Sequence, residues 1–161
     1  MTVSIYREDD LLSTFGKYLS KNNFLILSLS GNQQGQYWFQ MGDYRKAPDI
    51  IAVRQDIILV GEAKVKSREL FKSKNGRPSD YQSLQYLLDN AAAKEQVLQR
   101  ITASLSRLDH NTDALPPMQM IAVGGDSFTP LQNMMDDHRI WCFAVEKSSG
   151  IVTPDWINDR V

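Results

Sequence analysis

Two apolar runs separated by only three residues constrain this chain more than any other feature. Residues 50–53 (Ile-Ile-Ala-Val) and 57–60 (Ile-Ile-Leu-Val) flank Arg54-Gln55-Asp56. Two β-rich runs joined by a short polar break read as a hairpin. Each run ends, away from the turn, in an acid: Asp49 on one side and Glu62 on the other. A two-residue loop at Gln55-Asp56 pairs Arg54 with Ile57 and, counting outward, sets Asp49 directly opposite Glu62. A three-residue loop pairs Asp49 with Gly61 and turns Glu62 to the other face, because a one-residue slip inverts every side chain. Ile51 and Val53 line one face of the first run, and Ile50 and Ala52 the other. A strand apolar on both faces is covered on both sides, so this hairpin belongs to the centre of a sheet.

Directly opposed carboxylates lie with Cβ atoms about 4.5–5.5 Å apart and destabilise a sheet unless something compensates them. A divalent cation between them does so. Lys64 lies two residues beyond Glu62 and shares its face. Two carboxylates and a lysine at a hairpin end have the composition of a metal-assisted hydrolysis site. Mg²⁺ is commonly held by one or two carboxylates together with water and phosphate oxygen, and Mn²⁺ is expected to substitute.

The pattern Pro48-Asp49 followed by Glu62-Ala63-Lys64 resembles the PD-(D/E)xK phosphodiesterase superfamily. The resemblance implies a restriction-endonuclease-like fold with an αβββαβ core. It assigns Asp49 and Glu62 to the metal, with the Ala63 carbonyl as a further ligand, and Lys64 to the attacking water or transition-state charge. It also implies an acid from the first helix. Glu8, Asp9 and Asp10 crowd that position, and Glu8 is favoured because Leu11, Leu12 and Phe15 continue its side of the helix. Gln82 and Tyr86, four apart and so on one helix face, are similar to a Gln-x-x-x-Tyr motif in the nuclease domains of bacterial recombination helicase-nucleases. There the motif lies near the active site and the DNA. The expected activity is a Mg²⁺-dependent DNA endonuclease or nuclease, with RNA as an alternative substrate. The chain would act as a homodimer or as the nuclease subunit of a larger DNA-processing or defence assembly. The competing reading is a non-catalytic binding or scaffold module of the same fold.

The remaining pattern suits one domain over 1–161, with a core at about 8–145. Apolar residues at helical spacing predict a helix over 8–22, and 24–29 reads as a strand. A turn at 31–35 leads to a second, paired strand at 37–41. Residues 66–79 hold few apolar side chains and read as a loop. Ser79 or Asp80 caps one long helix over 81–108. Strands are expected at 118–123 and 140–145, with a turn at 124–127 and a short helix capped by Thr129 and led by Pro130 between them. A C-terminal extension over about 150–161 packs through Trp156. The resulting order, αβββαβαβ, specifies a mixed α/β fold with a mixed central sheet flanked by helices.

Composition is that of an ordinary globular chain of 161 residues, 42% hydrophobic and 23% charged, with net charge −1. It does not advertise nucleic-acid binding, but charge is distributed unevenly. Lys64, Lys66, Arg68, Lys72, Lys74 and Arg77 crowd residues 64–77 against Glu69 alone, and the rest of the chain is acidic. Lys66, Arg68, Lys72 and Lys74 are therefore candidate contacts to a phosphate backbone. The loop holding them is expected to be mobile without nucleic acid. No signal-peptide pattern or membrane-length apolar run is seen, and the single Cys142 excludes an internal disulfide, so a cytoplasmic setting is expected. Cys142 itself reads as a buried strand residue, and His110, His138 and Cys142 lack zinc spacing.

Overall fold

The computed structural model describes residues 7–29, 36–110, 112–125 and 128–155. Helix α1 (Glu8–Lys21) is followed by strand β1 (Leu25–Leu29) and by a small separate hairpin, β2 (Phe39–Met41) and β3 (Tyr44–Lys46). Strands β4 (Ile50–Val53) and β5 (Ile58–Lys64) form the central hairpin. Helices α2 (Asp80–Asp89) and α3 (Ala91–Arg107) then lead to β6 (Met118–Gly124), α4 (Phe128–Met134), β7 (Trp141–Val145) and β8 (Val152–Thr153). The main sheet has the order β1-β4-β5-β6-β7-β8. It is antiparallel across β1, β4 and β5, parallel across β5, β6 and β7, and antiparallel again at β8. With the β2–β3 hairpin and β8 set aside and α2 and α3 taken as one crossover, the elements run αβββαβαβ. No helix among the described residues is long and apolar enough to cross a membrane.

The sheet is covered on both faces. Leu11, Leu12, Phe15 and Leu19 of α1 pack against Ile50, Ala52, Leu59, Ile121 and Phe143. On the opposite face Ile51, Ile58, Val60, Met120, Ala122 and the buried Cys142 meet α2, α3 and the β2–β3 hairpin. Residue parity along β5 therefore places Glu62 and Lys64 on the α2/α3 side.

The central register is the one set by a two-residue loop. Val53 pairs with Ile58 and Ile50 with Gly61, and the Arg54 amide donates to the Ile57 carbonyl at 2.9 Å. Tight hairpins favour glycine, and this one has none. Arg54 supplies a local clamp instead. Its guanidinium grips both Asp56 carboxylate oxygens at 2.7 and 3.0 Å and donates to the Asn22 carbonyl at 3.0 Å.

Several local expectations are corrected. The strand at 37–41 does not pair with 24–29; β1 pairs with β4, and β2 turns back on β3 through Gly42 at φ +59°. Tyr37 and Phe39 are buried toward α3, which draws this hairpin out of the main sheet. The long helix over 81–108 is two helices, because Asn90 leaves helical geometry (φ −117°, ψ 104°) and caps α3 by accepting the Ala93 amide. Residues 66–79 are not plain loop. They contain a 3₁₀ helix, Ser67–Phe71, whose Leu70 is fully buried, and a tight Lys74–Arg77 bridge turning through Asn75 and Gly76. Asn75 and Gly76 both have positive φ. Helix α4 starts at Phe128, so Thr129 and Pro130 lie inside its first turn, where proline is tolerated. The expected turn at 31–35 and Trp156 fall outside the described residues, and of the turn at 124–127 only Gly124 and Gly125 are described.

Gly61 permits β5 to lie against β6 next to Glu62. A Cβ there would sit 2.4 Å from Ile121 Cγ1 and 2.7 Å from the Ile121 carbonyl oxygen. Gly61→Ala is expected to cost about 1–3 kcal/mol through this overpacking. Thermal unfolding checks it, and an unchanged Tm would contradict the close approach.

Candidate functional site

One residue past the Ile50–Gly61 pair, Asp49 stands opposite Glu62. Both lie beyond the apolar layer of the α2/α3 face. The Ala63 amide donates to Asp49 Oδ2 at 2.9 Å, which ties the Asp49 side chain to β5. Glu62 is only 1% exposed. The register thus brings together the two acids that the sequence paired.

Two lysines and two further acids complete the cluster. Lys46 Nζ lies 3.6 Å from Glu62 Oε2 and 2.5 Å from Asp80 Oδ1. Lys64 Nζ lies 3.0 Å from Glu8 Oε1 and 3.8 Å from Asp80 Oδ2. Charges therefore alternate from Glu62 through Lys46, Asp80 and Lys64 to Glu8. Among the three acids at the start of α1, Glu8 is the one that reaches Lys64, whereas Asp10 faces Arg7 at 3.8 Å.

Sequence reasoning missed Asp80 and Lys46 as site residues. Asp80 occupies the first position of α2, just after the Ser79 cap, where acids are common for helix-dipole reasons alone. Lys46 arrives on the β2–β3 hairpin, which was not expected to stand apart. Gln82 and Tyr86 have other engagements. The Ser79 amide donates to Gln82 Oε1 at 2.8 Å and the Gln82 amide to Ser79 Oγ at 3.1 Å, a reciprocal capping box. The Tyr86 ring stacks on Phe39, and its hydroxyl accepts from Asn90 Nδ2 at 3.0 Å. Both contacts stabilise elements that hold the site rather than enter it.

A cleft of about 550 Å³ opens from Lys64 and Asp80 and is lined by Tyr44, Lys72, Lys74 and Arg77, with Glu69 on its wall. Of the expected basic contacts, Lys72 and Lys74 face this cleft, while Lys66 and Arg68 are exposed outside its lining. Arg77, stacked 5.0 Å from the centre of the Tyr44 ring, is an addition.

The electrostatics single out Asp49 and Glu62. Burial pushes the Asp49 carboxyl up to about 6, partly offset by the Ala63 hydrogen bond and reinforced by Asp80. Burial and the adjacent Asp49 hold Glu62 well above the usual carboxylate range. Lys46 is buried too, which works against its charge, but Glu62 and Asp80 outweigh this and raise its pKa. Lys64 is likewise raised against its burial by Glu8 and Asp80.

Four acids and two lysines leave two formal negative charges when all are ionised, and among the described residues Asp49 is the one of these acids with no lysine within ion-pair range. The donor set of Asp49 and Glu62 and this residual charge fit one hard divalent cation. Among the described residues, no three His, Cys, Asp or Glu side chains group as a complete metal cage. A two-carboxylate site of this kind leaves the remaining coordination to water, backbone or substrate.

A carboxyl with a raised folded-state pKa stabilises the fold at low pH, and that stability is lost as pH rises through the folded value. Stability of the metal-free protein is therefore expected to fall as pH rises from about 4 through the Asp49 value of about 6. Asp49→Asn keeps an acceptor for the Ala63 amide and removes the charge. It should raise stability at pH 7.5 by about 1–3 kcal/mol and flatten this slope. Denaturant titrations at pH 4.5 and 7.5 measure it; an equally steep slope in the variant would contradict the assignment.

No protein-family model matches the chain, and no curated protein or solved structure shows significant similarity to it.

Proposed function

We propose that this protein is a Mg²⁺-dependent nuclease with a restriction-endonuclease-like core, hydrolysing phosphodiester bonds in DNA. One observation carries the reading: the half-buried Asp49 and the buried Glu62 stand opposed on one sheet face with Lys64, which itself lines a basic cleft. A scaffold gains nothing from opposing two mutually repelling carboxyls, whereas carboxyls with perturbed pKa values are characteristic of reaction centres. The order α1, β1, β4, β5, helical crossover, β6 agrees with the αβββαβ core that the motif implies.

Asp49 and Glu62 would hold the cation, with the Ala63 carbonyl as the further ligand suggested by the resemblance. A metal bound there supplies polarisation of the scissile phosphate and a lowered pKa for a coordinated water. Glu8 and Asp80 keep Lys64 charged and orient its ammonium toward the cleft. There it hydrogen-bonds the attacking water or the charge developing on phosphate. Lys72, Lys74 and Arg77 hold the backbone electrostatically. Lys46 keeps Glu62 and Asp80 compensated until cation and substrate arrive.

That position of Lys46 favours one other reading, a non-catalytic module in which the ammonium replaces the metal permanently. The two readings separate in a cleavage assay with duplex DNA, single-stranded DNA and RNA, in Mg²⁺ and in EDTA. The nuclease reading expects metal-dependent cutting of DNA. Asp49→Asn, Glu62→Gln and Lys64→Met should each reduce it by about 100-fold or more. Circular dichroism should show each variant folded. Cutting by Asp49→Asn at the wild-type rate would refute the site. Absence of cutting from every substrate, with no Mg²⁺-dependent rise in Tm, would favour the module.

A further inference from the structure

We infer that Trp38, Arg45 and Arg100 form a second phosphate-binding surface, outside the cleft, that grips a nucleic-acid backbone. The Arg45 guanidinium carbon lies 4.3 Å from the centre of the Trp38 ring, and that of Arg100 lies 4.2 Å from it. The two cations are therefore no farther apart than about 8.5 Å, comparable to the Debye length at physiological ionic strength, about 8 Å. Among the described residues, neither has a carboxylate within ion-pair range, whereas Arg7, Arg54 and Arg139 do. Two like charges held on one indole repel, and an anion between or across them relieves the repulsion.

The surface is built on anchored elements. Phe39, next to Trp38, is 1% exposed. The Gln40 amide donates to Gln96 Oε1 of α3 at 2.8 Å, and Arg100 Nη1 donates to the Gln96 carbonyl at 3.4 Å. Tyr37 Oη and Ser104 Oγ of α3 are 2.8 Å apart, a hydrogen bond between the hairpin and the same helix. Arg45 is the strand neighbour of Lys46, and successive strand residues face opposite ways. Lys46 thus serves the acidic cluster while Arg45 serves the outer surface. A guanidinium resting on an aromatic face keeps its N–H edge free for bidentate phosphate contact.

The choice of nucleic acid over other polyanions rests on the proposed nuclease reading. Binding is therefore measured separately from cleavage, in EDTA. A fluorescein-labelled 20-base-pair duplex is titrated against full-length protein across a salt series, with polyglutamate as an acidic-protein mimic. Arg45→Gln/Arg100→Gln should weaken duplex binding about tenfold and reduce the log–log salt slope by about two, as loss of two phosphate contacts requires. Duplex should change the tryptophan emission of wild type, and Trp38→Phe should lack that change. If the double variant does not fold, Arg45→Gln alone, at an exposed position, should reduce the slope by about one. Unchanged affinity and slope in a folded variant would overturn the inference, as would tighter binding of polyglutamate than of duplex. Loss of cutting with this binding intact would defeat only the nuclease reading, and cutting without any effect of these variants would defeat only this surface.

Discussion

The rest of the site depends on one pairing, Asp49 across from Glu62 on adjacent antiparallel strands. Like charges in that position oppose sheet formation, and Glu62 is withdrawn from solvent while Asp49 is half-buried. The apolar strands β4 and β5 hold them there, since shifting the register would expose Ile50, Ile51, Leu59 and Val60 to the wrong layers. Burying these side chains stabilises the fold by about 1.5–3 kcal/mol each. That exceeds what relief of the carboxyl pair would return. Stability is thus spent on keeping two acids close.

The neighbouring charges follow from that constraint. Lys46 approaches Glu62 from a hairpin outside the main sheet, and Asp80 joins Lys46 to Lys64 from the start of α2. The Ser79–Gln82 capping box fixes where α2 begins and therefore where Asp80 stands. Glu8 closes the series from the first turn of α1. Each lysine stays protonated because acids surround it, and each outer acid is balanced. Among the described residues Asp49 alone of these acids has no lysine within ion-pair range, and the basic cleft opens from Lys64 and Asp80.

Much of the central layer was legible because its signals are local. Apolar runs on both faces gave the β4–β5 hairpin, the period of α1 gave its buried stripe, and the spacing of Asp49, Glu62 and Lys64 followed from strand parity. Features decided by distant contacts were not legible. The pairing of β1 with β4 depends on strands separated by the β2–β3 insertion. The break at Asn90 turns on one side chain capping α3, which an otherwise continuous apolar period conceals. Lys46 and Asp80 look like ordinary surface charges until the hairpin and helix carry them to Glu62. The basic segment after Lys64 read as loop because its anchors, Leu70 and the Phe71–Tyr81 ring contact, are few and make their contacts elsewhere in the chain.

The central claim is that Asp49 and Glu62 together bind one divalent cation. A crystal structure of the full chain in Mn²⁺, with anomalous data, tests it directly. The account predicts a single anomalous peak about 2.2 Å from a carboxylate oxygen of each acid, with Lys46 withdrawn from Glu62, and no peak in crystals of Asp49→Asn. Crystals saturated with Mn²⁺ that show no peak there, with Lys46 still against Glu62, would contradict it.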